Sequence, residues 1–180
     1  VAKEFIERRR NDRIGMVAYE GEAYTVCPLT MDHSILLAQL AQLQSGILEP
    51  GTAIGLGLGT AVNRLKSDSL ESKVIILLTD GVNTQGDISP EEAILLAKNK
   101  KIKVYTIGVG TRGMALSPRF TPFGIRYVEA PVEIDEELLE EIASQTGGKY
   151  FRATDENSLR KIYQEIDLLE KRSLKDVDYQ

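Results

Sequence analysis

Hydrophobic residues from position 53 onward alternate between two patterns. Continuous apolar runs at 74–79 and 102–109 are typical of strands that are buried on both faces of a parallel sheet. Other segments carry apolar residues at helical spacing, namely 53–66, 90–99, 135–146 and 159–169, and a short strand is predicted at 149–152. Strands that alternate with helices in this way predict an α/β fold with a mostly parallel sheet flanked by helices.

The first 46 residues predict a helix, a hairpin and a second helix. Phe5 and Ile6 precede three arginines and indicate a short amphipathic helix. Two strand-like runs, 14–19 and 23–29, are joined by a tight turn and predict an antiparallel edge of the sheet. Asp32 is expected to cap the next helix, which should end near Gly46.

The segment 111–131 interrupts the alternation of strands and helices. It contains several prolines, and it carries Arg119, Phe120, Arg126 and Tyr127 near its centre. We interpret it as a loop or hairpin excursion within a single domain of residues 1–180. We expect a surface hairpin with its own small apolar cluster, and contact of the arginines and aromatic residues with a partner is the alternative.

Composition excludes several classes of protein. The 180 residues carry a net charge of −5, which argues against general binding to nucleic acid. The single cysteine, Cys27, cannot form an intramolecular disulfide, and we expect it to be a small buried hydrophobe. Because His33 is the only histidine, a multi-histidine metal site is excluded, and we expect that residue to be solvated at the surface.

Two oxygen-bearing side chains are candidates for a cation site. Asp80 directly follows the run 74–79, and Thr52 precedes the glycine-rich helix at 53–66. In open α/β sheets ligands bind outside the carboxyl ends of the strands, so these two oxygens could meet around a hard cation. The alternative is that Asp80 belongs to an ordinary turn and that Thr52 is an ordinary helix cap.

The glycines at 55, 57 and 59 do not form a dinucleotide-binding fingerprint. They follow a loop rather than a strand, and their spacing is not that of the phosphate-binding motif. Each of them costs about 1 kcal/mol relative to alanine inside a helix, so their presence requires a reason.

Several blocks of the sequence resemble known families. The blocks 51–55, 74–81 and 104–110 resemble von Willebrand factor type A domains in order and spacing over nearly the whole chain. More narrowly, the blocks 11–15, 27–30, 121–124 and 146–151 resemble the bacterial Bat aerotolerance proteins, the BatA-like members in particular.

The resemblance implies a Rossmann-like sheet with a metal-ion-dependent adhesion site at its carboxyl edge. In that family Mg²⁺ or a similar cation, such as Mn²⁺, takes ligands from an Asp-x-Ser-x-Ser loop, a threonine and an aspartate. An acidic side chain of a protein partner completes the shell. By position, Thr52 matches the family's threonine and Asp80 matches its aspartate.

One part of the family pattern is absent from this sequence. We expect the chain to begin in the helix that would follow the Asp-x-Ser-x-Ser loop, because 32–36 only partly matches that motif and precedes a different helix. The family's first, central strand would then be missing, and 14–19 and 74–79 would flank an empty slot. Exposed strand edges predict rearrangement or self-association, and two ligands alone predict weak or absent metal binding.

The resulting hypothesis is a protein-interaction domain and not an enzyme. It implies a metal-dependent interaction domain of a membrane-anchored Bat protein that acts with other Bat proteins and a MoxR-type AAA+ ATPase. The domain itself would be soluble, and the lone Cys27 favours the cytoplasmic side. The alternatives are a small metal-assisted hydrolase built around Asp80 and a structural scaffold whose metal site is vestigial.

Overall fold

The structure is a computed structural model that describes residues 1–43, 53–65, 73–79, 88–110, 114–131 and 134–178. Its elements in chain order are α1 (Ala2–Arg8), β1 (Ile14–Tyr19), β2 (Ala23–Thr30), α2 (His33–Ala41), α3 (Ile54–Arg64), β3 (Val74–Thr79), α4 (Pro90–Asn99), β4 (Lys103–Val109), β5 (Met114–Thr121), β6 (Gly124–Pro131), α5 (Glu136–Thr146), β7 (Tyr150–Ala153) and α6 (Glu156–Asp178).

The described strands form three sheets, of which the largest is parallel. It has the order β3-β4-β7, and both of its strand pairs are parallel, which confirms the predicted α/β class. The antiparallel pairs β1-β2 and β5-β6 each form a separate two-stranded sheet. Among the described strands, β1 and β3 therefore share no ladder, and β3 has one edge without a strand partner.

Polar side chains begin three of the helices as the sequence predicts. Asp32, Ser89 and Asp135 each accept a backbone N–H from the first turn of α2, α4 and α5. The predicted end of α2 is wrong, since the helix ends at Ala41 and Gly46 lies outside the described residues. The backbone N–H of Gln42, the residue after Ala41, donates to two carbonyl oxygens of the last turn, and this tightens and ends the helix.

Apolar side chains cover both faces of the parallel sheet. One cluster joins α3, α4 and α5 to one face of β3 and β4, and a second joins α1 and α6 to the other face. Successive residues of β3 pack against opposite clusters. Ile75 and Leu77 belong to the first cluster, and Ile76 packs against the second. The predicted burial of Cys27 is confirmed, in a small third cluster with Ile6 and Leu36.

The glycines of α3 allow close packing. A Cβ atom on Gly55 would lie 2.2 Å from the carbonyl oxygen of Ile88, and one on Gly57 would lie 2.6 Å from Cγ of Tyr19. Helix α3 can therefore approach both the backbone that leads into α4 and the end of β1. These close contacts explain why glycine is present at positions 55 and 57.

Polar groups also hold α6 against the sheet. The carboxylate of Asp167 accepts a hydrogen bond from Arg9 at 2.8 Å, and Glu170 accepts one from Tyr105 at 2.6 Å and one from Lys103 at 3.2 Å. Burial opposes ionisation of Asp167, but the bonds from Arg9 and Lys171 outweigh it and hold the pKa of this carboxyl below its usual value. Burial and the bond to Glu170 raise the pKa of Tyr105.

We predict that Gly55→Ala lowers the free energy of unfolding by about 2 kcal/mol, since backbone atoms cannot yield to the added methyl group. The matched control is Gly59→Ala, where the nearest atom is the end of the Ile88 side chain at 3.2 Å. That variant should be neutral or more stable by up to about 1 kcal/mol, because alanine favours the helix. Urea unfolding of both variants tests the prediction, and equal losses of stability would contradict it.

Candidate functional site

The carboxyl ends of the three parallel strands meet at one edge of the sheet. Thr79 at the end of β3 is in register with Gly108 of β4, and Val109 is in register with Ala153 at the end of β7. Thr79 is buried. In an open α/β sheet this edge is where ligands bind, so the residues that follow these strands are the candidates for chemistry.

The beginning of α3 lies against the β1-β2 turn. The backbone N–H of Ala53 donates to the carbonyl oxygen of Glu20 at 2.6 Å, and Ala53 itself is fully buried. Helix α3 also packs against β3. The start of α3 is thus held by β1-β2 on one side and by the parallel sheet on the other.

Both candidate ligands, Thr52 and Asp80, lie outside the described residues. Each is adjacent in sequence to a buried residue. Thr52 precedes Ala53 at the start of α3, and Asp80 follows Thr79, the last residue of β3. Their meeting around a cation stays a prediction. Within the described ranges, no group of three or more His, Cys, Asp and Glu side chains could hold a metal ion, so that part of the chain adds no carboxylate cluster to the pair.

Tyr19 connects β1 to β3 without a strand ladder. Its hydroxyl donates to the carbonyl oxygen of Leu78 at 2.8 Å, and its ring packs against Gly57. The contact lies one residue before Thr79, at the carboxyl end of β3. The sequence predicts Tyr19 only as the last residue of a strand. Its position at the carboxyl end of the run 14–19 is the one local signal that could have indicated a role at this edge of the sheet.

A polar cluster around Arg152 holds the exit of β4. The guanidinium donates to the carbonyl oxygen of Gly110 at 3.2 Å and to Glu136 at 3.0 Å. Glu136 also accepts a bond from the Tyr150 hydroxyl at 3.0 Å, and burial together with that bond raises the pKa of Tyr150. Arg152 therefore joins β7, the first turn of α5 and the residue after β4.

The single histidine and the single cysteine are held in structural contacts. Atom Nε2 of His33 lies 2.7 Å from the carbonyl oxygen of Asp12, and the residue is half-buried rather than fully solvated as expected. The buried Cys27 thiol donates to the carbonyl oxygen of Pro28 at 3.4 Å. These contacts tie the end of α1 to α2 and fill the cluster beneath β2.

The tip of the β5-β6 hairpin differs from the prediction of a small apolar cluster. The side chains of Phe123, Ile125 and Tyr127 are exposed, so the expected cluster does not include them. Arg126 is exposed as well. The side chains of Arg119 and Phe120 lie outside the described part of the chain.

A comparison with protein-family models agrees with the α/β fold and its parallel sheet. Residues 1–165 match the model of the von Willebrand factor type A domain. The chain therefore belongs to the von Willebrand factor type A family.

Similar proteins include solved Bat structures. The crystal structure of BatB from Bacteroides thetaiotaomicron is 30% identical, with a TM-score of 0.77, and the match covers 94% of this chain and 85% of that one. An aerotolerance-related membrane protein from Bacteroides fragilis is 26% identical, with a TM-score of 0.72, and the match covers 91% and 82% of the two chains. This chain thus resembles Bat-type proteins in sequence and in fold.

Curated relatives are longer than this chain. A protein of Borreliella burgdorferi is 31% identical over 164 residues, which cover 90% of this chain and 48% of that protein. The chain spans about half the length of the curated relatives it matches. None of the helices in the described ranges is both long enough and apolar enough to span a membrane.

A more distant structure shares the fold alone. Proximal thread matrix protein 1 from the mussel byssus is 23% identical, with a TM-score of 0.68, over 92% of this chain and 37% of that one. That structure is described as having a zinc-occupied metal-ion-dependent adhesion site.

We predict that Arg152→Met loosens the exit of β4. Loss of two charge-assisted hydrogen bonds should lower the free energy of unfolding by about 2 kcal/mol. Amide exchange should accelerate at Gly110, whose N–H donates to Ala153, more than at Thr106 in the middle of β4.

The matched control is Lys98→Met, which removes one exposed bond to Gln145 and should leave both amides unchanged. An equal acceleration at Gly110 and Thr106 in Arg152→Met would show a general loss of stability and contradict the local role of Arg152.

Proposed function

We propose that this domain binds a protein partner through a divalent cation held at the carboxyl edge of the sheet. The observation that carries the proposal is membership of the von Willebrand factor type A family, with a threonine and an aspartate at the two positions where the family places ligands. The buried neighbours of these residues, Ala53 and Thr79, support it, because Ala53 caps the start of α3, Thr79 ends β3, and this helix and strand pack against each other.

The proposed cation is Mg²⁺ or Mn²⁺, with Thr52 and Asp80 as its ligands from this chain. Both ions prefer oxygen ligands, and Mg²⁺ gives up its water reluctantly. The remaining ligands are expected from an Asp-x-Ser-x-Ser loop, and an acidic side chain of the partner completes the shell. A chain that supplies only Thr52 and Asp80 should bind the cation weakly.

We further propose that the domain works within a membrane-anchored Bat-type protein. The similarity to BatB and to the aerotolerance-related membrane protein supports this context. In this proposal the partners are other Bat proteins and a MoxR-type AAA+ ATPase, and the domain is soluble and lies on the cytoplasmic side. The burial of a free thiol in Cys27 is compatible with a reducing compartment.

The function proposed is binding and not catalysis. The alternative of a metal-assisted hydrolase around Asp80 requires a second catalytic group close to that residue. His33 and Cys27, the two residue types most suited to this role, bond to the backbone carbonyls of Asp12 and Pro28 instead. The other alternative, a scaffold with a vestigial site, requires that Thr52 and Asp80 contribute nothing to partner binding.

We predict that Mg²⁺ and Mn²⁺ bind a longer form of the protein, one that contains an Asp-x-Ser-x-Ser loop, at least tenfold more tightly than they bind the 180-residue chain. Calorimetric titration of both ions measures this. In the longer form, Asp80→Asn and Thr52→Ala should each weaken the binding of the cation and of the MoxR-type ATPase in parallel, because the cation bridges the two proteins.

The control variant is Glu141→Gln, which changes an exposed carboxylate on α5 and should alter neither measurement. Partner binding that persists unchanged in Asp80→Asn and in EDTA would favour the scaffold. Turnover of an ester or phosphoester that depends on Asp80 would favour the hydrolase.

A second candidate is self-association through strand edges. Strand β3 consists of six apolar or threonine residues, and among the described strands only β4 pairs with it. Such an edge presents backbone groups that can pair with another chain. Tyr19 occupies one carbonyl of β3, that of Leu78, by a side-chain bond.

We predict that the 180-residue chain associates as its concentration rises, as measured by sedimentation velocity. Association should slow amide exchange along β3 while Ile107 in the central strand β4 keeps its rate, since β4 is already paired on both sides. A single monomeric species over the full concentration range, with unchanged exchange in β3, would exclude this candidate.

A further inference from the structure

The tip of the β5-β6 hairpin is a rigid turn. Thr121 and Gly124 are paired in register, and the Thr121 hydroxyl donates to the carbonyl oxygen of Gly124 at 2.7 Å. Gly124 has a φ of +117°, which favours glycine, and Pro122 restricts the backbone before the apex. Phe123 is therefore held at the end of the hairpin by the geometry of the turn.

The side chains at this tip are apolar and exposed. Phe123 is 95% exposed, Tyr127 is 67% exposed and Ile125 is 57% exposed. Ile125 and Tyr127 are two residues apart on β6, so they lie on the same face of the hairpin. Arg126, between them, lies on the opposite face, and Phe123 is in the turn. Large exposed apolar side chains grouped on one element are of the kind that marks an interaction site.

The segment that contains the hairpin has a net charge opposite to that of the rest of the chain. The segment 111–131 contains three arginines and one glutamate, a net charge of +2, so the rest of a chain whose total is −5 carries −7. Arg126, between Ile125 and Tyr127, is exposed and forms no ion pair with any described residue. An acidic partner complements this local charge.

The same charges disfavour an anionic membrane as the occupant, because it would meet the overall charge of −5 and be repelled by it at long range. A short acidic segment that reaches only the tip of the hairpin meets the positive part of the molecule. The charge distribution therefore favours a protein segment.

The described residues that flank the hairpin segment are held near the carboxyl end of β4. Gly110, which precedes the segment, donates to Ala153 at 2.9 Å and accepts from Arg152 at 3.2 Å. Ile134, which follows it, packs against the core, and its Cγ2 atom lies close to Gly108. The chain therefore leaves and re-enters the described core at this edge of the sheet.

We propose that the hairpin tip, defined as Phe123, Ile125, Arg126 and Tyr127, docks a segment of the partner protein that combines acidic and apolar side chains. The segment crosses the hairpin at its tip, so that an apolar side chain packs against Phe123, Ile125 and Tyr127 while a carboxylate pairs with Arg126 on the opposite face of the strand. The proposal rests on the proposed function as a protein-binding domain, but the contact needs no metal ion. It adds a second, metal-independent contact beside the proposed cation.

The test is selection of random peptides displayed on phage against the 180-residue chain, followed by fluorescence anisotropy with the selected peptides. We expect the selected peptides to be rich in Asp, Glu and large apolar residues. Phe123→Ser and Arg126→Glu should each weaken their binding at least tenfold, and selection against Arg126→Glu should favour basic peptides instead. The matched control is Leu95→Ser, which removes an apolar side chain that is 57% exposed, as Ile125 is, from α4 and should change nothing.

Four outcomes would overturn the proposal. Selected peptides could lack acidic residues, or their binding could be unchanged by Phe123→Ser. Binding of the chain to phosphatidylglycerol vesicles, lost in Phe123→Ser and without binding of acidic peptides, would identify a membrane contact. Dimerisation lost in the same variant, seen by sedimentation without peptide binding, would identify a second copy as the occupant.

The test also separates this proposal from that of the cation site. Peptide binding should be equal in EDTA and in Mg²⁺ and should persist in Asp80→Asn. Phe123→Ser should leave Mn²⁺ affinity of the longer form unchanged. A domain whose metal site is vestigial would still bind the peptide, and a hairpin without a docking role would leave metal binding intact.

Discussion

The close approach of α3 to its neighbours is the constraint on which the rest of the structure depends. The β1-β2 pair and the parallel sheet share no strand ladder among the described residues, and α3 packs against both of them. Gly55 and Gly57 bring the helix to within contact of the backbone before α4 and of the Tyr19 ring. Larger residues would separate two sheets that are otherwise connected by side chains such as Tyr19.

This packing also determines where chemistry can occur. Ala53 bonds to the β1-β2 turn and Thr79 ends a buried strand. The two points at which Thr52 and Asp80 join the described structure are therefore fixed by packing. Arg152 does the same for the exit of β4, through its bonds to Gly110 and Glu136. A rigid base beneath variable loops is a common arrangement for binding sites, since the scaffold keeps its shape while the loops carry specificity.

Local signals in the sequence were sufficient for most of the elements. The bounds of β3 agree with the apolar run 74–79, because a polar residue follows that run directly and four of its six members are β-branched. Ser89 and Asp135 marked helix starts because their capping bonds reach only three residues along the chain.

Features that depend on distant parts of the chain could not be predicted. The Tyr19 bond joins residues 59 positions apart, and the Arg152 bond to Gly110 spans 42 positions, so neither leaves a local pattern. The glycines in α3 required a reason, but their spacing indicated neither the packing role nor its partners. For the site, the family resemblance predicts Thr52 and Asp80, which lie outside the described residues, whereas the exposure of Phe123 became visible only in the structure.

The composition of β3 affects how the protein can be handled. Its sequence, VIILLT, has no charged residue, proline or glycine, and such short segments form intermolecular β-structure when they are exposed. Heating that detaches α3 or the β1-β2 pair would uncover this segment before the chain could refold. Thermal denaturation should therefore be irreversible, and its apparent midpoint should depend on the heating rate rather than report an equilibrium.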